Sequence, residues 1–241
     1  REYALVQGEK PEVAKAIEEH YMPRNAGDDM PSSLLGAIVG IADRIDTITG
    51  CFSIGIQPTG SQDPYALRRQ AISIINTILD KKIHIDIKKL AEKAITPFVE
   101  KKINKEEPSK VIDDIIEFFK HRLKNVLLDK NYEYDVIDSV LNVGLTDIED
   151  AVLRVKELSK WKNQEDFLAI ASSFNRVSNL ASKAETAEID SNLLSEPTEK
   201  ELYDSYMNVR NIFNEAMERK DYNNALKALM IMKKPIDNFF D

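Results

Sequence analysis

The sequence predicts an all-α fold, and three observations carry that prediction. Apolar residues recur at i, i+3, i+4 and i+7 along most of the chain, the β-branched residues fall on that helical spacing rather than alternating, and no Asn-Gly or Asp-Gly hairpin signal occurs. Pro11 suits a first helical turn, and Val13, Ala14 and Ile17 make a short apolar stripe that ends before Pro23. Asn25-Ala26-Gly27-Asp28-Asp29 reads as a turn. The next helix is capped by Ser32 or Ser33, carries Leu34, Leu35, Ile38, Val39, Ile41, Ala42, Ile45 and Ile48, and ends at Gly50. Its apolar positions cover more than half the circumference, which predicts burial on several sides.

Gln57 to Gln62 is a loop by composition, and Asp63-Pro64 reads as a cap plus first helical residue for a helix through Leu67, Ala71, Ile74, Ile75 and Ile78. Asp86 starts a helix that breaks or bends near Pro97, and Ser109 opens one through Ile115, Phe119 and Leu127. A short helix after Asp135 stops at Gly144, and Thr146 with Glu149 forms a capping box for a helix through Val152, Val155 and Leu158. Gln164 to about Lys183 is helical, and Ile189–Glu196 is a loop. Pro197 begins a helix through Leu202, Val209 and Phe213, Asp221 caps a last one, and Pro235 marks a bend after it. The weakest seam lies between Gly144 and Asn163, which divides the chain into residues 1–145 and 146–241.

With 241 residues the chain can bury a core without staples, and 43% hydrophobic with 31% charged residues is a globular balance. One cysteine, Cys51, excludes a disulfide framework and a cysteine zinc cluster and points to a reducing compartment. No apolar run has the length to cross a bilayer, so the expectation is a soluble, intracellular protein. The net charge is −8, distributed as −4, 0 and −4 over residues 1–80, 81–160 and 161–241. A generic nucleic-acid coat is strongly basic; here any polynucleotide must be held by a few placed cations, with the surrounding negative field opposing indiscriminate adhesion. The run Lys81, Lys82, Lys88, Lys89, Lys93, Lys101, Lys102 and Lys105 reads as a solvated face.

Catalytic candidates are scarce. His20, His84 and His121 form no His-Asp or His-x-x-x-His pair, neither usual glycine-rich phosphate loop occurs, and Cys51 reads as a structural thiol. Asp46 falls inside the apolar arc of its helix, beside Ala42 and Val39, with Asp43 at the edge; a carboxylate there must be paired, hydrogen-bonded, metal-bound or protonated. Arg68 falls inside the arc of the next helix and Arg69 at its margin. One reading is a buried Arg–Asp pair locking the two helices. The other leaves an arginine free for a phosphate, which a planar bidentate donor suits. In the second half Asn175, Arg176, Asn179 and Lys183 lie along one helix, three of them at i, i+3 and i+7. Such a face can bind base edges and phosphates of single-stranded RNA, or be an ordinary solvated face.

Three segments are distinctive together: Tyr21-Met22-Pro23-Arg24-Asn25-Ala26-Gly27-Asp28-Asp29-Met30-Pro31, Ile41-Ala42-Asp43-Arg44-Ile45-Asp46-Thr47-Ile48, and Gln57-Pro58-Thr59-Gly60-Ser61-Gln62-Asp63-Pro64-Tyr65-Ala66-Leu67-Arg68-Arg69. They resemble the β-subunit of bacterial heterotetrameric glycyl-tRNA synthetase, with weaker support from Asn175 to Asn179 and Pro235 to Phe240. The resemblance implies a fragment cut at both ends, with an HD-like helical region over 1–145 and a helical anticodon-binding-type bundle over 146–241. It implies tRNA-Gly and an α-subunit as partners in a cytoplasmic α2β2 ligase, with no membrane or DNA partner. ATP, Mg2+ and the transfer chemistry would belong to the whole enzyme, and this fragment would hold no catalytic residue, metal or cofactor. Arg176 and Asn179 match an anticodon-domain motif, which places Arg176, Asn179, Lys183 and Asn175 on the anticodon side. Arg68, Arg69, Asp46 and Asp43 would form an acceptor-side contact or a structural pair. Asp43 also matches the last acidic ligand of HD phosphohydrolases, whose histidines and His-Asp pair are absent here. A metal-dependent phosphohydrolase and a helical scaffold without an RNA role are the competing functions.

Overall fold

A computed structural model describes residues 1–25, 27–186 and 188–241. Ala26, in the middle of the expected turn, and Ala187 lie outside the described residues. The described residues form α-helices, one 3-10 turn at Ser191–Leu193 and two isolated bridges, with no strand among them. The all-α expectation holds.

In chain order the helices are α1 (Glu2–Val6), α2 (Pro11–Glu19), α3 (Leu34–Ser53), α4 (Leu67–Lys81), α5 (Ile87–Glu100), α6 (Pro108–Asp129), α7 (Tyr134–Leu141), α8 (Ile148–Trp161), α9 (Glu165–Ala181), α10 (Pro197–Glu218), α11 (Tyr222–Met230) and α12 (Lys233–Phe240). The chain divides into two compact units, Arg1–Val152 and Leu153–Asp241. The 145/146 seam and this division are separated by a segment tied to the first unit. Ile87 N–H donates to the Thr146 carbonyl at 2.8 Å, His84 Nδ1 lies 2.8 Å from an Asp147 oxygen, and Ile148 is fully buried.

In the first unit α3 packs against α2, α4, α5 and α6. Ile45, Ile48 and Phe52 of α3 meet a core that includes Ile74 and Ile78 of α4, Ala91 of α5, and Ile115, Phe119 and Leu123 of α6, all essentially inaccessible. Each large side chain so placed contributes about 2–3 kcal/mol relative to exposure. In the second unit Ile170, Val209, Ala228, Met232 and Ile236 form the core, with Phe174, Phe213 and Phe240 packed around it.

Five local expectations need correction. α3 does not end at Gly50; it runs to Ser53, and Gly50 is the point where the Phe98 ring lies on the helix, so that a Cβ there would come within 2.9 Å of two ring carbons. Pro64 does not start α4. The helix begins at Leu67, and Asp63 reaches forward to accept from the Leu67 and Arg68 amides at 2.8 and 3.0 Å. Pro97 lies within α5 without breaking it. α8 is capped by Asp147, whose Oδ1 accepts from Asp150 N–H at 3.0 Å, rather than by a Thr146–Glu149 box. Pro235 does not mark a bend after the last helix; it sits in the first turn of α12, where its missing N–H has no helical acceptor to lose. Caps at Ser33, Asp86 and Asp221 are present as read.

Candidate nucleic-acid interface

The side chain buried on α3 is Arg44, not Asp46. Asp43 and Asp46 are both exposed, whereas Arg44 is only 8% accessible. Leu34, Leu35, Ile38, Val39 and Ala42 are exposed as well, so the arc that contains Asp46 is a solvent-facing flank of α3 rather than its buried side. Among the described residues neither aspartate pairs with Arg68 or Arg69, so the structure holds no Arg–Asp lock between α3 and α4.

Arg44 instead organises the first distinctive segment. Its Nη1 donates to the carbonyls of His20 and Gly40 at 2.8 and 2.9 Å. Its Nη2 donates to those of Tyr21, Met22 and Pro23 at 2.9, 3.1 and 3.2 Å. Burial pulls its pKa below the usual arginine range, and neighbouring Asp43 acts in the opposite sense. The guanidinium remains charged, its desolvation offset by carbonyl dipoles. Glu19 anchors the other end of the loop. It accepts from the amide and hydroxyl of both Ser32 and Ser33, at 3.2 and 2.7 Å from Ser32 and 2.9 Å from the Ser33 amide, with Ser33 Oγ also on its Oε2. Burial opposes its ionisation most, yet the four hydrogen bonds together outweigh it and lower its pKa to about 2.

The segment so held forms one wall of a cleft of about 380 Å3 whose other wall is the start of α4. Pro23, Asn25, Gly27 and Met30 face Asp63, Arg68, Arg69, Ser73 and Asn76 across it. Arg69 is exposed and makes no ion pair among the described residues; Arg68 is half-buried, and its guanidinium makes a 3.5 Å contact to the Gln62 carbonyl and no ion pair among the described residues. The Asp63 carboxylate is already engaged by two α4 amides. Two cations in a concave site beside amide side chains can hold phosphate oxygens.

In the second unit Arg176 is engaged. Its Nη2 lies 2.8 Å from Asp237 Oδ1 and its guanidinium carbon 4.7 Å from the centroid of the Phe240 ring. Asp237 also accepts from Ser173 Oγ at 2.8 Å and from Lys233 Nζ at 2.9 Å. Lys233 first, then Ser173, hold the Asp237 carboxyl below its ordinary range against desolvation, with Arg176 adding a weaker charge effect. Asn175 and Asn179 are exposed on the same helix, but Lys183, also exposed, is not on it: α9 ends at Ala181 and Lys183 lies in the turn that follows, its N–H on the Leu180 carbonyl.

Sequence reasoning does not single out Arg44 or Glu19. The signal exists for the arginine: Arg44 lies three residues after Ile41 and four before Ile48, on the buried stripe. Among the described residues no group of three or more His, Cys, Asp and Glu is placed to hold a metal ion, and no helix is long and apolar enough to cross a membrane. Asp43 therefore stands without the histidine cluster that an HD hydrolase requires.

The cleft is built from the segments that also carry the family likeness. A family model described as glycyl-tRNA synthetase beta subunit matches residues 1–142. The chain is 44% identical over 241 residues to the glycine–tRNA ligase beta subunit of Clostridioides difficile (strain 630), covering 100% of this chain and 35% of that protein. It is 43% identical over 241 residues to the corresponding subunit of Desulforamulus reducens, with the same two coverages, and 41% identical over 241 residues to that of Geobacter sulfurreducens. The chain thus spans about 35% of the length of the curated relatives it matches. A likeness that runs through all three distinctive segments and the whole chain makes this chain a member of the glycyl-tRNA synthetase β-subunit family.

Proposed function

We propose that this chain is a tRNA-holding part of a glycine–tRNA ligase β-subunit, acting by position rather than by bond chemistry. The observation that carries the reading is the cleft at the start of α4, where Arg68 and Arg69 stand beside Asn25 and Asn76 without a carboxylate ion pair among the described residues. In a chain of net charge −8 such cations are selective: the negative field opposes adhesion elsewhere, and the cleft takes phosphates on the acceptor side of tRNA-Gly. On the second unit Asn175, Asn179 and Lys183 face the anticodon arm. Arg176 serves to fix α9 to α12 rather than to read a base. Holding the tRNA at two places presents its acceptor end to the α-subunit of a cytoplasmic α2β2 enzyme and converts binding energy into orientation. ATP and Mg2+ act in that enzyme away from this chain.

The test is an anisotropy titration of the full-length αβ enzyme with tRNA-Gly and with an anticodon-swapped tRNA. Arg68→Gln with Arg69→Gln is expected to weaken both tRNAs alike and to lower the salt slope by about 2, since each phosphate contact contributes roughly 0.9. Asn179→Ala with Lys183→Ala is expected to narrow the difference between the two tRNAs. Unchanged affinity and slope in the arginine variant would remove the acceptor-side reading.

A further inference from the structure

The central helix of the first unit has one face that nothing covers. Ile41, Ile45 and Ile48 of α3 are buried in the core, where the helix packs against α2, α4, α5 and α6. On the other side Leu34, Leu35, Ile38, Val39 and Ala42 are all exposed, Leu34 to 57% and Ile38 to 52%. Leu35, Val39, Ala42 and Asp46 follow i, i+4, i+7 and i+11 spacing and so form one stripe, about 17 Å long at the helical rise. At 100° per residue Leu34 and Ile38 lie along one margin of it and Asp43 along the other. Asp43 and Asp46 are exposed and make no ion pair among the described residues. The neighbouring elements are bare in the same way. Ile17 of α2 is exposed, and α1, packed on α2, buries no residue and leaves Tyr3 and Val6 almost fully in solvent.

We infer that this face of α3 seats an amphipathic helix of the same β-subunit, drawn from the part of it outside these 241 residues, with apolar side chains on the stripe and Lys or Arg opposite Asp43 and Asp46. Single exposed apolar residues are ordinary, but a stripe of them on a helix whose other faces make a core marks a surface that another element covers. Apolar positions round more than half the circumference are the pattern of a helix buried on several sides. The chain spans about 35% of the length of the relatives it matches, so the larger part of such a subunit is there to supply the cover. A polynucleotide does not suit the face, because its phosphates would meet hydrocarbon and two carboxylates. A separate subunit would leave the stripe bare whenever it dissociated, whereas a segment of the same chain is held beside it at high effective concentration. Covering the stripe also supplies the partner that an apolar setting demands of Asp46. The inference goes beyond the tRNA reading and stands without it.

The experiment uses the full-length β-subunit, alone and assembled with its α partner, carrying Ile38→Cys or Val39→Cys. Maleimide modification of the new thiol is followed by mass spectrometry resolved to that residue, against the same protein unfolded in urea. In the β-subunit alone the expected rate is at least about 100-fold below the unfolded one, since modification then needs a local opening. That rate should not depend on protein concentration, on the α-subunit or on tRNA-Gly. Rapid modification that slows only with the α-subunit, only with tRNA-Gly or only at higher concentration would give the face to another occupant and overturn the inference, as would rapid modification throughout. Asp43→Lys with Asp46→Lys tests the charge pattern in the same full-length chain. Set against covering cations, the two lysines should lower the thermal unfolding midpoint by about 2 °C or more. On a solvated face the same exchange relieves self-repulsion in a segment of net charge −8 and leaves the midpoint unchanged or raised, which would also overturn the inference.

Discussion

Arg44 Nη2 lies 3.2 Å from the carbonyl oxygen of Pro23, and through this and three companion bonds one α3 side chain holds the chain from His20 to Pro23 in place. The second distinctive segment therefore clamps the first, and the first forms a wall of the cleft whose cations come from the third. Arg44→Met leaves the four loop carbonyls of His20 to Pro23 to find other donors. It is expected to destabilise the first unit by about 3–5 kcal/mol in denaturant unfolding, given roughly 1–3 kcal/mol for each buried acceptor left unsatisfied and partial rehydration of the loop. Arg44→Lys, with three donors in place of five, should recover part of this.

Glu19 makes the same region sensitive to acid. Its pKa is depressed from 4.5 to about 2, so its contribution to stability is fully present above about pH 4.5 and is lost as pH falls towards 2. The shift corresponds to roughly 2–3 kcal/mol at neutral pH after allowance for its breadth. Unfolding measured from pH 7 to pH 2.5 should show that loss in the wild type. In Glu19→Gln the loss should already be present at pH 7 and should be correspondingly flatter with pH, because the amide cannot accept four donors.

Gly40 sits where α3 lies directly against His20. A Cβ there would lie 2.8 Å from the His20 carbonyl oxygen and 2.9 Å from Arg44 Nη1. Gly40→Ala should therefore destabilise by about 1–3 kcal/mol, despite the better helix propensity of alanine. Thermal unfolding beside an exposed helical control on α6 would measure the difference.

Arg176 and Lys183 should separate in function. Arg176 is tied to Asp237 and stacked on Phe240, whereas Lys183 is exposed. Arg176→Ala is expected to lower the unfolding midpoint and to change the salt slope of tRNA binding little. Lys183→Ala should leave the midpoint alone and reduce the slope by up to about 0.9. The reverse pattern would restore Arg176 as an RNA contact.

Periodicity and punctuation were enough to read the helices and several of their starts: Ser33, Asp86 and Asp221 cap through side chains that accept from an amide three residues on. These are local effects, because a cap needs only its own first turn. The family likeness was equally legible, since it lies in the order of residues. Which side of α3 is buried was not. Spacing assigned Val39, Ala42 and Asp46 correctly to one face, but burial depends on where α2, α4, α5 and α6 pack, and they cover the opposite sides. Hence an aspartate was expected inside where an arginine is found.

The partners of charged groups have the same origin. Arg44 meets carbonyls about twenty residues away, and Arg176 an aspartate sixty-one positions on. Residue order alone settles that this chain is helical, where many of its turns fall and which family it belongs to, since those properties come from neighbours along the backbone. Whether Arg68 and Arg69 line a cleft with no ion pair among the described residues while Arg44 and Arg176 are engaged is settled by folding, because a guanidinium's partner is whichever acceptor the packing of distant helices brings within 3 Å or so.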